Sequence, residues 1–376
     1  MKYCSKCLQP DTRPGIKFND DGVCPACIYH ESLKNVDWDE RKKYLDEIVA
    51  FGKQNNDSGY DCIIGVSGGK DSTRQAIFVK EKLNMNPLLV CLSYPPKQIT
   101  ERGVNNISNL INHGFDCITI NPSPVIWKDL MKKSFFEYTN WCKSTEMALF
   151  SSVPKIAIAY QIPLIWWGEN PALQLGDLNV MGNDGADGNN LKKMNTLGGG
   201  DFSWVLDQYI TKNKILQYIY PSEREMNQAN LKITFLGYFW KDWSLVDNGN
   251  FAVLNGLDIR NESPNDIGDP YGITSLDENW VTLNQMIKYL KYGFGRVTDY
   301  VNEDIRNGRL TREKAILLLE KYDGKCSESY IKSFSEYIEI SVEDFWRQVN
   351  KTVNQTLFYL DKSGNWCRKF EVGVGL

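Results

Sequence analysis

Between residues 60 and 168 the chain alternates short apolar runs with longer stretches of helical spacing. Asp61-Cys62-Ile63-Ile64-Gly65-Val66 is nearly continuous in apolar residues, the pattern of a strand buried on both faces. Residues 73–83 carry apolar positions at helical spacing. The pair then repeats. Strands are expected at 87–92, 117–120 and 163–167, and helices at 100–113, 124–138 and 145–160, with Thr100 as a cap. Short apolar strands between helices predict a parallel sheet covered on both faces. Ligands of such sheets bind beyond the carboxyl ends of the strands. Three polar turns fall there: Ser67–Ser72, Ser93-Tyr94-Pro95-Pro96 and Gly168-Glu169-Asn170.

The last third changes period. Trp280, Leu283, Ile287 and Leu290 mark one helix face, Thr311 opens a helix ending near Gly324, and Ser341 with Asp344 reads as a capping box before Phe345, Trp346 and Val349. This predicts a mainly helical C-terminal domain. Residues 176–203 are rich in Gly and Asn and show no period. A stretch of that length is expected to act as an active-site lid.

The turn after the first strand carries the chemistry. In Ser67-Gly68-Gly69-Lys70-Asp71-Ser72, two glycines let the backbone pass close to an anion. The following helix start adds unpaired N–H groups and the positive end of its dipole. Ser67, Lys70 and Ser72 supply side-chain donors. A Walker loop is excluded, because Asp71 follows Lys70 and Ile64 occupies the first glycine position. The pattern resembles the PP-loop of ATP pyrophosphatases, which implies ATP as co-substrate. Glu169, just past the fourth strand, is placed beside Asp71 as a second carboxylate for magnesium, and Ser93 ends the second strand where adenine or ribose can rest.

The cysteines add a second feature. Cys4-x2-Cys7 and Cys24-x2-Cys27 lie sixteen residues apart, within the spacing of a four-thiolate zinc site; iron uses the same ligands. Four protein ligands leave no open position, so the metal is expected to be structural. So short a piece cannot bury a core of its own. The other six cysteines are scattered. Cys62, Cys91 and Cys117 lie in strand-like runs, and Cys142 follows Trp141 in an expected loop.

Composition bounds the rest. The chain has 376 residues, 42% of them hydrophobic, enough for two domains and a large core. Lys and Arg total 43 against 47 Asp and Glu, a net charge of −4, which weighs against nonspecific binding of nucleic acid. No apolar run approaches the roughly 18 residues of a membrane span, and Met1–Cys7 lacks a signal-peptide core. The expected location is the cytoplasm, with cysteines as thiols or metal ligands.

Taken together, Cys-Ser-Lys-Cys at 4–7, Ser-Gly-Gly-Lys-Asp-Ser at 67–72, Trp-Gly-Glu-Asn-Pro at 167–171 and Lys-Tyr-Gly-Phe-Gly-Arg at 291–296 resemble the N-acetyl sugar amidotransferase family. Its members include the WbpG-type lipopolysaccharide enzymes and the pseudaminic acid enzymes. The resemblance implies an α/β fold: a parallel-sheet PP-loop domain (adenine nucleotide alpha hydrolase-like) at 37–260, an N-terminal zinc ribbon at 1–36 and a helical domain at 261–376. It implies AMP transfer to the amide oxygen of an N-acetyl (nucleotide-)sugar, then attack by ammonia to give an acetamidino group for O-antigen or surface-glycan synthesis. Ser67, Gly68, Gly69 and Ser72 would cradle pyrophosphate, Lys70 would neutralise it, and Asp71 would hold Mg2+. Asn170, Trp204, Lys291 and Arg296 are the expected substrate contacts. No glutaminase signature is present. The implied partners are a separate glutaminase and a cyclase-like ammonia-channel subunit resembling imidazole glycerol phosphate synthase. Two other readings stay open: a PP-loop tRNA thiolase using a cysteine such as Cys142, and a non-catalytic zinc-ribbon binding protein.

Overall fold

The computed structural model describes residues 1–176, 186–193 and 197–376. Five parallel strands form one sheet: β1 (Cys62–Val66), β2 (Pro87–Leu92), β3 (Asp116–Ile120), β4 (Leu164–Trp167) and β5 (Lys232–Phe235), in the order β3-β2-β1-β4-β5. The first four stand within a residue or so of the expected positions. The chain builds outward from β1 to β3, then crosses back to place β4 on the other side of β1. That reversal opens a crevice at the carboxyl end of β1.

Strand side chains alternate between two apolar layers. Ile63, Leu88, Val90, Leu92, Ile165, Ile233 and Phe235 join one buried cluster, which continues into the C-terminal helices. Cys62, Ile64, Val66, Leu89, Cys91, Leu164 and Trp166 join the other. Both faces are therefore dry, and this accounts for runs that are apolar throughout rather than every second residue.

The helices between the strands are Lys70–Glu81, Glu101–Asn112, Pro124–Tyr138 and Cys142–Ala159. The Thr100 side chain accepts from the Gly103 amide, as a cap should. One expectation fails: Cys142 is not in a loop but begins a helix, and it is buried. Asn140 Oδ1 accepts from the Cys142 amide at 3.0 Å, fixing that helix start.

The C-terminal region holds the helices Val281–Tyr292, Arg296–Arg306, Arg312–Tyr322, Glu328–Tyr337 and Val342–Asn350. Thr311 and Ser341 cap theirs as expected. A small antiparallel hairpin, β6 (Phe358–Leu360) with β7 (Trp366–Arg368), follows them. Its turn is held by Asp361 Oδ1, which accepts from the amides of Ser363 and Asn365 at 2.8 Å each.

The N-terminal cysteine segment docks on this C-terminal region. The Leu8 amide donates to Asn302 Oδ1 at 2.7 Å, Arg13 pairs with Asp299, Arg312 donates to the Cys4 carbonyl at 3.0 Å, and the Leu376 amide donates to the Met1 carbonyl at 3.0 Å. Of the expected lid, residues 177–185 and 194–196 lie outside the described residues. The described parts pack along β5: the Gly188 amide donates to Ile233 O and the Phe235 amide to Ala186 O, both at 2.8 Å. Leu191 and Leu197 are buried in the large core. Among the described residues no helix is long and apolar enough to cross a membrane.

Candidate functional site

The loop after β1 is shaped by two glycines with different duties. Gly68 has φ +71°, and a Cβ there would lie 2.9 Å from Asn106 Cβ and 3.1 Å from the Ile107 amide. Neither the conformation nor the space admits a side chain. Gly69 is extended and serves as N-cap of the helix Lys70–Glu81, with no side chain capping its first turn. The N–H groups of that turn therefore remain for a ligand. Ser72 Oγ donates to Gly69 O at 3.1 Å and tightens the turn.

Behind the loop lies a chain of polar contacts. Lys70 is only 4% exposed, and its ammonium meets Asp71 Oδ2 at 2.8 Å. Asn248, fully buried on the helix Leu245–Leu254, donates to Asp71 Oδ1 at 2.7 Å. Arg74 donates to Asn248 Oδ1 at 2.7 Å and pairs with Asp242 at 2.8 Å. The arginine thus fixes the asparagine amide so that its NH2 faces Asp71.

A cavity of about 270 Å³ opens over this loop. Ser67, Gly69, Lys70, Asp71, Ser72 and Glu169 all line it, so the structure gathers these expected residues in one place. Glu169 Oε2 accepts from Trp167 Nε1 at 3.0 Å. Burial, and next the negative charge of Asp71, push the Glu169 carboxyl up to about 7. Asp71, Glu169 and Lys70 sharing one cavity suit a divalent cation with phosphate. Phe150 and Trp167 stack with centroids 5.6 Å apart and give the cavity an aromatic wall.

Other expected residues stand elsewhere. Ser93 lines a neighbouring, mostly apolar slot of about 150 Å³. Asn170 is spent on structure: it caps the short helix Pro171–Leu175 and donates to Gly237 O at 3.2 Å. Trp204 packs edge-on against Tyr138, and the Lys291 ammonium is held by the carbonyls of Tyr138 and Thr139 at 2.7 and 3.0 Å. Neither lines the cavity. Arg296 lines a small polar pocket that shares Thr274 and Ser275 with the main cavity, so it sits behind that wall. The thiol of Cys142 is buried, pushed far above its usual range by burial, and receives Asn284 Nδ2 at 3.3 Å.

Sequence reasoning missed Asn248 and the segment 273–277, which supplies Ile273, Thr274, Ser275 and Asp277 to the cavity. Ser275 holds a left-handed φ of +50°, a conformation a residue with a Cβ keeps only when its surroundings impose it. That one non-glycine residue in an unperiodic loop is constrained leaves no mark in composition.

The four expected metal ligands do meet. The Sγ atoms of Cys4, Cys7, Cys24 and Cys27 all lie within 4.8 Å of one another, with Cys4 to Cys27 at 4.0 Å and Cys7 to Cys24 at 3.7 Å. A tetrahedral zinc with bonds of about 2.3 Å holds its sulfurs about 3.8 Å apart. The amides of Lys6 and Gln9 point at Cys4 and Cys7 Sγ at 3.4 Å each, and that of Cys24 at Cys4 Sγ at 3.2 Å. Such donors stabilise thiolate rather than thiol. The cluster fits zinc.

Residues 271–371 match the family model for the C-terminal domain of WbpG-like lipopolysaccharide biosynthesis proteins. Over 112 residues the chain is 30% identical to the uncharacterized protein MJ1599 of Methanocaldococcus jannaschii; the match spans 29% of this chain and 39% of that protein. Among solved structures, NMN synthetase from Francisella tularensis is similar over 52% of this chain and 93% of that one, with 14% identity and a TM-score of 0.29, a likeness too slight to carry an argument.

Proposed function

We propose that this chain, whose residues 271–371 form a WbpG-like C-terminal domain, is an ATP-dependent amidotransferase acting on an N-acetylated (nucleotide-)sugar. The observation that carries the reading is the cavity itself. A helix start with free N–H groups, a buried lysine and the carboxylates of Asp71, Glu169 and Asp277 face the same space, and the WbpG-like domain contributes part of its wall.

The chemistry such a site favours is activation of a poor electrophile. The amide oxygen attacks the α-phosphorus of ATP, releasing pyrophosphate and leaving an adenylated imidate. Ammonia adds to the imidate carbon, AMP departs with the former amide oxygen, and an acetamidino group remains. The protein's part is positioning and neutralisation of charge. Ser67, Gly68, Gly69 and Ser72 hold the pyrophosphate portion and Lys70 neutralises it, while Phe150 and Trp167 offer a face to the sugar. Asp71 and Glu169 would hold magnesium, which supplies positive charge to the departing pyrophosphate. Cys4, Cys7, Cys24 and Cys27 would hold a structural zinc. The buried, raised thiol of Cys142 does not suit the nucleophile a thiolase needs.

Glu169 provides a first check. A carboxyl raised above its unfolded value costs stability once pH passes from about 4.5 toward 7, and the cost is full above 7. Glu169→Gln should therefore stabilise the ligand-free protein above pH 7 by on the order of 1 kcal/mol given partial solvent screening, and so raise its melting temperature there. The gain should vanish below pH 4.5, while magnesium-dependent turnover falls. Thermal melts across pH, paired with AMP assays, read both effects.

The reading as a whole is tested by mass spectrometry of N-acetylated nucleotide sugars incubated with the protein, ATP, magnesium and ammonium. The product should be lighter than its substrate by the difference between oxygen and NH. Glutamine should not replace ammonium until a separate glutaminase and its channel partner are added, because no glutaminase signature stands in the sequence. Efficient glutamine use by this chain alone would contradict that part of the reading.

A further inference from the structure

We propose that Asp277 is the ribose-binding residue of the nucleotide site, so that the C-terminal domain completes a pocket whose phosphate end belongs to the PP-loop. This rests on the cavity taking ATP.

A nucleotide has a base, a sugar and phosphates, in that order, and the structure offers matching compartments. The loop 67–72 supplies donors for phosphate. The adjoining slot of about 150 Å³ is walled by Cys91, Leu92, Ile99, Val104 and Ile107, an apolar surface suited to a base. The two compartments share Ser67, Leu92, Tyr94 and Asp277. With phosphate on one side and base on the other, the ribose must pass those four residues. Among them Asp277 alone carries a carboxylate, and a carboxylate is the acceptor that matches the two adjacent hydroxyls of a ribose.

The backbone at Asp277 is held by the elements around it. Its carbonyl accepts from the Thr100 amide at 3.0 Å. Gly103 lies so close that a Cβ there would be 2.4 Å from Asp277 Cα. The same loop is gripped by Arg260, 8% exposed, which donates to the carbonyls of Thr274, Ser275 and Glu278. The neighbouring acid is spent: Glu278 accepts from the amides of Trp280 at 2.7 Å and Val281 at 2.6 Å. The Asp277 carboxylate accepts from its own backbone amide, and burial, with the charge of Glu278 next, pushes it up to about 7. One local donor leaves acceptor capacity on this carboxylate for the hydroxyls of a ligand.

The test is binding of ATP and of 2′,3′-dideoxy-ATP to the full chain with magnesium and without sugar. The wild-type protein should bind ATP roughly 10- to 100-fold more tightly than the dideoxy analogue, the effect of hydrogen bonds to a charged group. Asp277→Ala should bind both nucleotides alike, near the wild-type affinity for the analogue. Indifference of the wild-type protein to the hydroxyls overturns the inference without any variant having to fold. So does a variant that keeps the discrimination. Lys70→Ala separates the two readings: if ATP binds in a Lys70-dependent way but the hydroxyls do not matter, the ribose assignment falls and the nucleotide site stands. If ATP does not bind at all, both fall.

Discussion

Asp71→Asn is expected to lower sugar-dependent AMP formation by about a hundredfold or more while leaving the fold in place. Asp71 joins the lysine and the asparagine behind the loop: Lys70 at 2.8 Å on one oxygen and Asn248 at 2.7 Å on the other. The amide of the variant keeps the shape but loses the charge that would hold magnesium against developing pyrophosphate, and removing one preorganised electrostatic group typically costs that much in rate. Lys70→Ala should be as severe, because a lysine only 4% exposed at a helix start has no solvent substitute. Asn248→Ala should give a smaller loss, since Asn248 orients Asp71 rather than touching substrate. Melting curves of all three, run beside the AMP assay, distinguish lost chemistry from lost structure. Unchanged AMP formation in both Asp71→Asn and Lys70→Ala would contradict the assignment of the loop.

Removal of the metal from the N-terminal cluster should have the second large effect, and it should fall on stability. Cys4, Cys7 and Cys24 are wholly buried and Cys27 is 7% exposed, so four thiols without a metal leave this segment little to fold around. The binding free energy of a structural zinc is folding free energy, on the order of 10 kcal/mol in small zinc domains. The segment is also a clasp on the C-terminal region, through Leu8 to Asn302, Arg13 to Asp299 and Arg312 to Cys4. Chelation, or Cys4→Ser, should therefore expose residues 1–36 to protease and loosen the helix Arg296–Arg306. None of these contacts is made by residues 67–72, so nucleotide binding should weaken less than the segment itself. Elemental analysis should find one zinc per chain, and a metal-free chain with residues 1–36 fully protected would contradict the role.

The sheet and the loop proposed to hold phosphate were legible in sequence because each is a local pattern. A strand buried on both faces writes itself as a run of apolar residues, and a phosphate loop as six consecutive positions. The four cysteines were legible because chelation demands fixed short spacings. β5 was not: Lys232-Ile233-Thr234-Phe235 is four residues long, and its strand identity comes from pairing with β4. The rest of the site was hidden for a related reason. Asn248 reaches Asp71 across 177 positions, and Asp277 faces the slot only because Gly103 and Arg260 bring a distant loop there. Lys291 and Arg296 were read from a motif, yet Lys291 is committed to carbonyls of residues 138 and 139. A motif names residue types without saying which of them face the ligand.

Transfer of AMP to the amide oxygen of the acceptor is the step on which the proposed reaction turns. It is tested most directly by giving the protein, with ATP, magnesium and ammonium, an N-acetylated nucleotide sugar whose acetyl carbonyl carries a heavy-oxygen label. The label should appear in AMP, in proportion to acetamidino product, and none should appear in pyrophosphate. Acetamidino product formed with unlabelled AMP, or label released to water as acetate, would contradict it.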